Sequence, residues 1–164
     1  MTQVVISIGS NIDRELNVKR AVSSLAHTFG SLSCSPVYES EASGFDGPPF
    51  YNLVVVFETS MDVSSVREKI RAIEICQGRQ IGNDRRGSRS LDLDLLLYGN
   101  FVLYDIDIDV PRQEIFHHAY ILKPLAELLP EVCHPLIGES FRDIWSRFSL
   151  QPESLALVED LKLP

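Results

Sequence analysis

Residues 91–99, LDLDLLLYG, place two aspartates in an otherwise apolar run that has the length and composition of a β-strand. Successive side chains of a strand point to opposite faces, so Asp92 and Asp94 share one face and the leucines between and around them share the other. The run therefore predicts a strand that carries two carboxylates about 7 Å apart on one face. A half-exposed strand with polar residues turned towards solvent would give the same alternation, so the pattern alone leaves both interpretations open.

Outward from this strand, strand and helix patterns alternate along the chain. QVVISI (3–8), SLSCSPVYES (31–40) and YNLVVVFETS (51–60) predict three further strands, the middle one of edge type because Pro36 lacks a backbone donor. Apolar residues at helical spacing from Arg14 to Phe29, and from an N-cap at Asp62 to about Cys76, predict two helices. The order β-α-β-β-α-β is typical of an α+β, ferredoxin-like split β-α-β sheet with helices packed on one face.

The last third of the chain is expected to add smaller elements to this sheet. FVLYDIDIDVP (101–111) is expected to form a hairpin with the aspartate-bearing strand, and residues 113–128 are expected to be helical. SFRDIWSRF (140–148) and PESLALVEDLKLP (152–164) predict extra C-terminal helices. Since no linker or repeat is visible, residues 1–164 are interpreted as a single domain.

Composition and charge exclude several classes of protein. The 164 residues are 45% hydrophobic and 23% charged, with a net charge of -8, whereas nucleic-acid and anionic-membrane binders need a broad basic surface. The three cysteines have no metal-ligand spacing and predict reduced thiols in a cytoplasmic protein. The N-terminus does not have the pattern of a signal peptide, and no apolar run is long enough to span a bilayer.

An arginine cluster stands out against this acidic background. Arg79, Arg85, Arg86 and Arg89 lie in a polar, glycine-containing loop just before the two aspartates. Guanidinium groups suit bidentate phosphate contacts, and carboxylate oxygens select Mg²⁺ or Mn²⁺. Loop and strand together predict a site for metal-bound polyphosphate, although a solvated charged loop is the commoner meaning of such a run. Neither a P-loop nor a kinase-type glycine-rich loop is present.

The stretch RRGSRSLDLDLLLYG (85–99) resembles the signature of the 6-hydroxymethyl-7,8-dihydropterin pyrophosphokinases, folate-pathway enzymes that transfer pyrophosphate from ATP to a pterin. Further segments resemble other parts of that family in the same order, so that the resemblance runs from residue 3 to about residue 131. These segments are ISIGSN (6–11), FYNLVVVFETS (50–60), IEICQGR (73–79) and VPRQEIFHHAYILKPLAELLPE (110–131).

The resemblance implies a set of site residues. Asp92 and Asp94 would bind two Mg²⁺ ions, with ATP as co-substrate, and would act with Arg85 and Arg89 as the catalytic residues. The expected ATP-binding residues are Glu74, Arg79, Arg85, Arg89, Leu95, Arg112 and His118. The expected pterin-binding residues are Gly9, Asn11, Ser43, Phe50, Asn52 and Tyr120, with Ser10 helping to shape the floor of the pocket.

Simpler roles remain open for four of these residues. Phe50 and Tyr120 could be ordinary core aromatics, Glu74 a solvent-facing helix residue, and Asn52 a turn cap.

The sequence also departs from the usual family pattern. The signature usually reads Arg-Trp-Gly-Pro-Arg-Thr, and here Arg86 and Ser88 replace the Trp and the Pro. Arg112 stands where the family usually has His, and His118 where it usually has Arg. Both expected metal-binding aspartates are present, whereas several of the expected substrate-contacting residues differ from the usual family pattern. Such a pattern fits a divergent pyrophosphokinase or a paralogue with a different acceptor.

The sequence thus predicts a monomeric cytoplasmic enzyme that pyrophosphorylates 6-hydroxymethyl-7,8-dihydropterin. One alternative is the same chemistry on another heteroaromatic alcohol, and a second is a non-catalytic pterin- or nucleotide-binding paralogue. Small-molecule substrates are expected, and neither nucleic acid nor membrane is expected as a partner.

Overall fold

The computed structural model describes residues 1–78, 90–148 and 154–164. Its regular elements follow the predicted β-α-β-β-α-β order and then add short pieces. The strands are β1 Thr2–Ser10, β2 Ser33–Cys34, β3 Tyr38–Ser40, β4 Phe50–Thr59, β5 Asp92–Tyr98, β6 Leu103–Tyr104, β7 Asp109–Val110 and β8 Ala156–Leu157. The helices are α1 Arg14–Phe29, α2 Val63–Cys76, α3 Ala119–Leu128 and α4 Phe141–Ser146, with a 3₁₀ turn at Gln113–Phe116.

The main sheet is antiparallel and has the order β5-β1-β4-β3-β8, with β2 also paired to β4. The central strand β1 lies between β4 and β5, and each β-α-β crossover therefore skips one strand. This topology confirms the ferredoxin-like prediction. It also places β4, β1 and β5 side by side, so that residues from three separate segments of the chain can meet in one site on the sheet.

Helices cover both faces of the sheet, which corrects the expectation of a single covered face. The apolar sides of α1 and α2 pack on the face that carries Ile6 and Leu93. Helices α3 and α4 pack on the opposite face, around Val5 and Val54. Strand β1 has apolar residues on both faces over Val4–Ile6, which is the pattern of a strand covered on two sides.

Three expectations for smaller elements were wrong. Strand β6 pairs with β7 and not with β5, so the hairpin lies within 101–111 and forms its own two-stranded sheet. The predicted helix 113–128 is divided into the 3₁₀ turn and α3. The C-terminal segment forms the strand β8 where a helix was expected.

The pairing of β8 has a clear physical reason. Without it, the outer edge of β3 would expose unpaired backbone groups. Strand β8 pairs with Tyr38 and Glu39 of β3, and the N–H of Val158 donates to the Val37 carbonyl at 2.9 Å. The side chains of Val158, Leu161 and Leu163 pack against the main core from this extended segment. Among the residues described, no helix has the length and apolar character needed to cross a membrane.

Candidate active site

Strand register brings the predicted site residues together on one face of the sheet. Gly9 of β1 is paired with Asn52 of β4 on one side and with Asp92 of β5 on the other. Two residues earlier, Ser7 is paired with Asp94. Paired residues in an antiparallel sheet project from the same face, so the aspartates and Asn52 flank a floor made by Ser7 and Gly9. The site lies on the face that α3 covers in part.

Above this floor lies a cavity of about 540 Å³, a volume typical of small-molecule sites. Its walls come from β1, the β3–β4 loop, β4, β5, the segment after β7 and the start of α3. The lining residues are Ser7, Ile8, Gly9, Ser40, Glu41, Ser43, Gly44, Phe45, Phe50, Asn52, Asp92, Asp94, Arg112, Glu114, Tyr120 and Ile121.

Asp94 lies in an environment that opposes its negative charge. Burial within the concave wall and repulsion from Asp92 raise the pKa of Asp94 to about 7, while Arg112 acts in the opposite direction. Its side chain keeps 31% of its surface exposed, and that surface faces the cavity. Two neighbouring carboxylates that repel each other in a partly desolvated wall are favourable ligands for a hard divalent cation. The chemistry of this pair therefore fits Mg²⁺.

Arg112 supplies a positive charge beside this pair. Its Nη1 lies 3.5 Å from Asp94 Oδ1, and its Nη2 donates to Glu114 Oε1 at 3.0 Å. The backbone N–H of Arg112 donates to the Leu96 carbonyl at 3.0 Å, which attaches this segment to β5. Glu114 was not predicted as a site residue, because the 3₁₀ turn that brings it back towards Arg112 has no clear sequence signal.

Glu74 and Leu95 support the strand and do not line the cavity. Glu74 is only 3% exposed, and its Oε1 accepts a hydrogen bond of 2.7 Å from the backbone N–H of Leu93, between the two aspartates. The solvent-facing alternative for Glu74 is therefore wrong. The side chain of Leu95 is 5% exposed and lies in the core beneath α1 and α2, on the face opposite the aspartates. This placement gives the Leu95 side chain no access to a ligand in the cavity.

The opposite wall of the cavity is aromatic and has one amide. Asn52 is buried inside β4, where its Nδ2 donates to Ser40 Oγ at 2.8 Å and lies 3.2 Å from the Tyr38 carbonyl oxygen, so the turn-cap alternative is wrong. Phe50 and Tyr120 are half-buried and line the cavity, which distinguishes them from ordinary core residues. The His118 ring stacks on that of Tyr120, with centroids 4.8 Å apart.

Asn11 lies outside the cavity and holds the loop that forms part of its wall. Its Nδ2 donates to the Pro48 carbonyl at 3.1 Å, and Arg14 Nη1 donates to the next carbonyl, that of Pro49, at 3.1 Å. Ser10 Oγ lies 2.6 Å from the Ser90 carbonyl oxygen, next to β5. Ser43 lines the cavity from the same loop, 41–49.

Several predicted residues fall outside the part of the chain that the structure describes. These are Arg79, Arg85, Arg86 and Arg89. Within residues 1–78, 90–148 and 154–164, no group of three or more His, Cys, Asp or Glu side chains is arranged to hold a metal ion. A cation at Asp92 and Asp94 would accordingly need further oxygen ligands, which substrate phosphates can supply.

Some cavity residues were missed from the sequence. Ser7 could have been found, because alternation along β1 places it on the same face as Gly9. Glu41, Phe45 and Ile121 come from a loop and a helix start whose orientation depends on tertiary contacts. No periodic signal marks them.

Comparisons with known proteins agree with this geometry. The family described as 7,8-dihydro-6-hydroxymethylpterin-pyrophosphokinase (HPPK) matches residues 5–130. A 2-amino-4-hydroxy-6-hydroxymethyldihydropteridine pyrophosphokinase of Aquifex aeolicus is 29% identical over 93% of this chain and 96% of its own length. A protein of the same name from Synechocystis sp. is 32% identical over 83% of this chain and 71% of its own.

Solved structures extend the likeness to the fold. The Plasmodium falciparum HPPK-DHPS crystal structure superposes with a TM-score of 0.73 at 15% identity, over 90% of this chain. This chain spans 41% of that longer one. Since the family match covers most of the described sheet and both walls of the cavity, the chain belongs to the 7,8-dihydro-6-hydroxymethylpterin-pyrophosphokinase family.

Proposed function

We propose that this chain carries out its family's reaction at the cavity on the sheet. Pyrophosphate is transferred from ATP to the hydroxymethyl group of 6-hydroxymethyl-7,8-dihydropterin, which yields the pterin diphosphate and AMP. The observation that carries the proposal is a cavity whose two walls differ in chemical character. One wall holds the paired carboxylates Asp92 and Asp94, and the other holds an amide and two aromatic rings, those of Asn52, Phe50 and Tyr120.

The amide and aromatic wall is the proposed pterin subsite. A flat heteroaromatic ring needs apolar faces to stack on and a polar group to recognise its edge. Phe50 and Tyr120 would supply the faces. Asn52 would supply the edge contact, with its amide orientation held by Ser40. Gly9 leaves the floor flat, because a Cβ there would lie 3.6 Å from Asn52 Oδ1 and 3.8 Å from Phe50 Cδ1.

Two further residues complete this subsite. Ser43 would contact the pterin from the β3–β4 loop. Asn11 would act indirectly, by holding that loop through the Pro48 carbonyl.

The carboxylate wall is the proposed metal and ATP subsite. Asp92 and Asp94 would hold two Mg²⁺ ions, and the hydrogen bond from the Leu93 N–H to Glu74 helps to hold the backbone between them. When bound, the ions would neutralise the negative charge of the ATP phosphates. Arg112 would contribute a further positive charge to the polyphosphate.

The remaining ATP-side roles are proposals of different kinds. Arg79, Arg85 and Arg89 are proposed on the family signature alone, with Arg85 and Arg89 as catalytic residues beside the aspartates. His118 would contact a phosphate near the aromatic wall, and its stacking on Tyr120 supports this proposal. Glu74 and Leu95 would influence ATP binding through the position of β5, since neither side chain reaches the cavity.

The wider setting is proposed from general features of the chain. The chain would act as a monomeric single domain, residues 1–164, in the cytoplasm, on small-molecule substrates and without nucleic-acid or membrane partners. The acidic net charge of -8 argues against nucleic-acid and anionic-membrane partners, and the free thiols of Cys34, Cys76 and Cys133 suit the cytoplasm.

The experiment that tests the function measures AMP formation from ATP and Mg²⁺, with and without the pterin acceptor. Wild type should form AMP only with the acceptor, and Asp94→Ala should lower the rate by at least about a hundredfold because charge neutralisation is lost. The control is Asp160→Ala, which removes an exposed carboxylate far along the chain from the site.

Two outcomes would contradict the proposal. Undiminished turnover in a folded Asp94→Ala protein would exclude the metal assignment. No acceptor-dependent AMP from wild type, with ATP or pterin still binding by calorimetry, would favour a changed acceptor or a non-catalytic paralogue. A panel of heteroaromatic alcohols would then separate those two.

A further inference from the structure

Arg112 lies between two carboxylates of the cavity wall and forms a close ion pair with only one of them, Glu114. Its Nη1 is 3.5 Å from Asp94 Oδ1, longer than a normal charge-assisted hydrogen bond, while its Nη2 is 3.0 Å from Glu114 Oε1. Within the described part of the chain, its Nε is buried and has no hydrogen-bond partner. A buried donor without a partner is unfavourable, so this arrangement leaves the guanidinium group able to gain by changing partners.

Arg112 shares the cavity wall with several acidic side chains. Among the described residues that line the cavity, Arg112 is the only cationic side chain, whereas Glu41, Asp92, Asp94 and Glu114 are acidic. Arg112 is therefore a local counter-ion of the carboxylates. A divalent cation that binds Asp94 through Oδ1 would compete with it.

The backbone keeps Arg112 in this competing position. The N–H of Arg112 donates to the Leu96 carbonyl of β5, the strand that carries Asp94. The guanidinium group can thus rotate away from Asp94 while its backbone stays attached to the same strand. A phosphate group entering the cavity offers it a bidentate partner that can use the Nε donor as well.

We infer that Arg112 is an internal counter-ion of the metal site, which holds Asp94 in the nucleotide-free protein and transfers to the polyphosphate when metal and nucleotide bind together. The inference rests on the proposed function, because it takes Asp92 and Asp94 as metal ligands. Its consequence is that free metal ions bind weakly and that nucleotide strengthens their binding. This coupling is a property of the residue at position 112.

The test measures Mn²⁺ affinity by the EPR signal of the free ion on the full chain, with and without a non-hydrolysable ATP analogue. Matched samples of Mn²⁺ and analogue without protein are subtracted, because the triphosphate itself binds Mn²⁺ in solution. Removing the charge in Arg112→Gln should tighten nucleotide-free Mn²⁺ binding by roughly threefold to tenfold and reduce the strengthening that the analogue gives. Arg112→Lys keeps the charge but loses the bidentate fork, so it should leave the nucleotide-free Mn²⁺ affinity close to wild type and still reduce the strengthening that the analogue gives. Arg142→Gln removes an exposed arginine whose partner is Glu131, away from the cavity, and should change nothing.

The outcomes separate this inference from the proposed function. Nucleotide-free Mn²⁺ affinity that is unchanged or weaker in Arg112→Gln would overturn the counter-ion role while leaving the metal site intact. If wild type binds no Mn²⁺ even with the analogue, the metal assignment itself is wrong and the inference with it. Should Arg112→Gln not fold by circular dichroism, Arg112→Met, which removes the charge, keeps an unbranched side chain and adds no ligand that a hard cation prefers, provides the same comparison.

Discussion

The buried carboxylate of Glu74 helps to hold the part of β5 that carries Asp92 and Asp94. Its Oε1 accepts a hydrogen bond from the backbone N–H of Leu93, the residue between Asp92 and Asp94. The interaction joins α2 to β5 at the point where the strand faces the cavity. A charged acceptor is a strong partner for a buried N–H, and its removal leaves that donor unsatisfied.

We expect Glu74→Ala to lower the free energy of unfolding by about 1–3 kcal/mol, because the Leu93 N–H would be left buried without a partner. Glu74→Gln keeps an acceptor oxygen and should lose less. Urea unfolding monitored by circular dichroism measures both. Glu68→Ala, an exposed carboxylate on the same helix, is the control, and an equal loss in that variant would argue against the role of Glu74.

The β3–β4 loop, residues 41–49, is held by one side chain from the β1–α1 connection and one from the first residue of α1. Asn11 and Arg14 donate to the consecutive carbonyls of Pro48 and Pro49. Arg14 is itself fixed by an ion pair of 2.7 Å with Glu39 and by its position 3.9 Å from the centroid of the Tyr51 ring. Since this loop contributes part of the proposed pterin subsite, its anchoring should affect one substrate more than the other.

Arg14→Gln should therefore raise the KM for the pterin by roughly threefold to tenfold, the loss of one charge-assisted hydrogen bond, with the KM for ATP changed little. Steady-state kinetics with each substrate varied in turn measures this split. Lys19→Gln on the same helix breaks only the surface pair with Glu15 and serves as the control. Equal changes in both KM values would indicate a general loss of structure and contradict the assignment.

The core beneath α3 and α4 makes global stability depend on pH through His134. Its ring is almost fully buried between Phe116 and Phe141, and its Nδ1 accepts from the backbone N–H of Leu136 at 3.2 Å. Burial lowers the pKa of His134 below its ordinary value, since desolvation disfavours the charged ring. As the pH falls through about 6.5, His134 thus takes up less of a proton in the folded state than in the unfolded state.

Between pH 7.5 and 5.5, His134 should contribute a loss of stability that His134→Gln lacks, so the change in the free energy of unfolding over this range should be less favourable in wild type than in His134→Gln. The comparison between the two proteins is needed because Asp94, with its pKa raised to about 7, takes up a proton in this window and contributes with the opposite sign. Urea unfolding midpoints at both pH values give the result. An identical pH dependence in the two proteins would exclude His134 as the cause.

Local sequence patterns were sufficient to predict the main strands and helices of this protein. Strands β1, β4 and β5 and helices α1 and α2 were found from alternation, apolar spacing and the Asp62 cap, which the structure places 2.8 Å from the Ser65 N–H. The shared face of Asp92 and Asp94 follows in the same way, because strand geometry alone sets it. The order of these elements limited the topology to the fold that is observed.

The short strands β6, β7 and β8 and the role of Glu74 depend on contacts between segments that a local sequence pattern does not show. Strand β8 is a strand because β3 offers it an edge, and the hairpin of β6 and β7 closes on itself although β5 has the stronger strand pattern. Glu74 is a buried anchor only because α2 lies over β5. Burial, pairing and charge depend on what lies opposite in space, and a short window of sequence contains information only on its own neighbours.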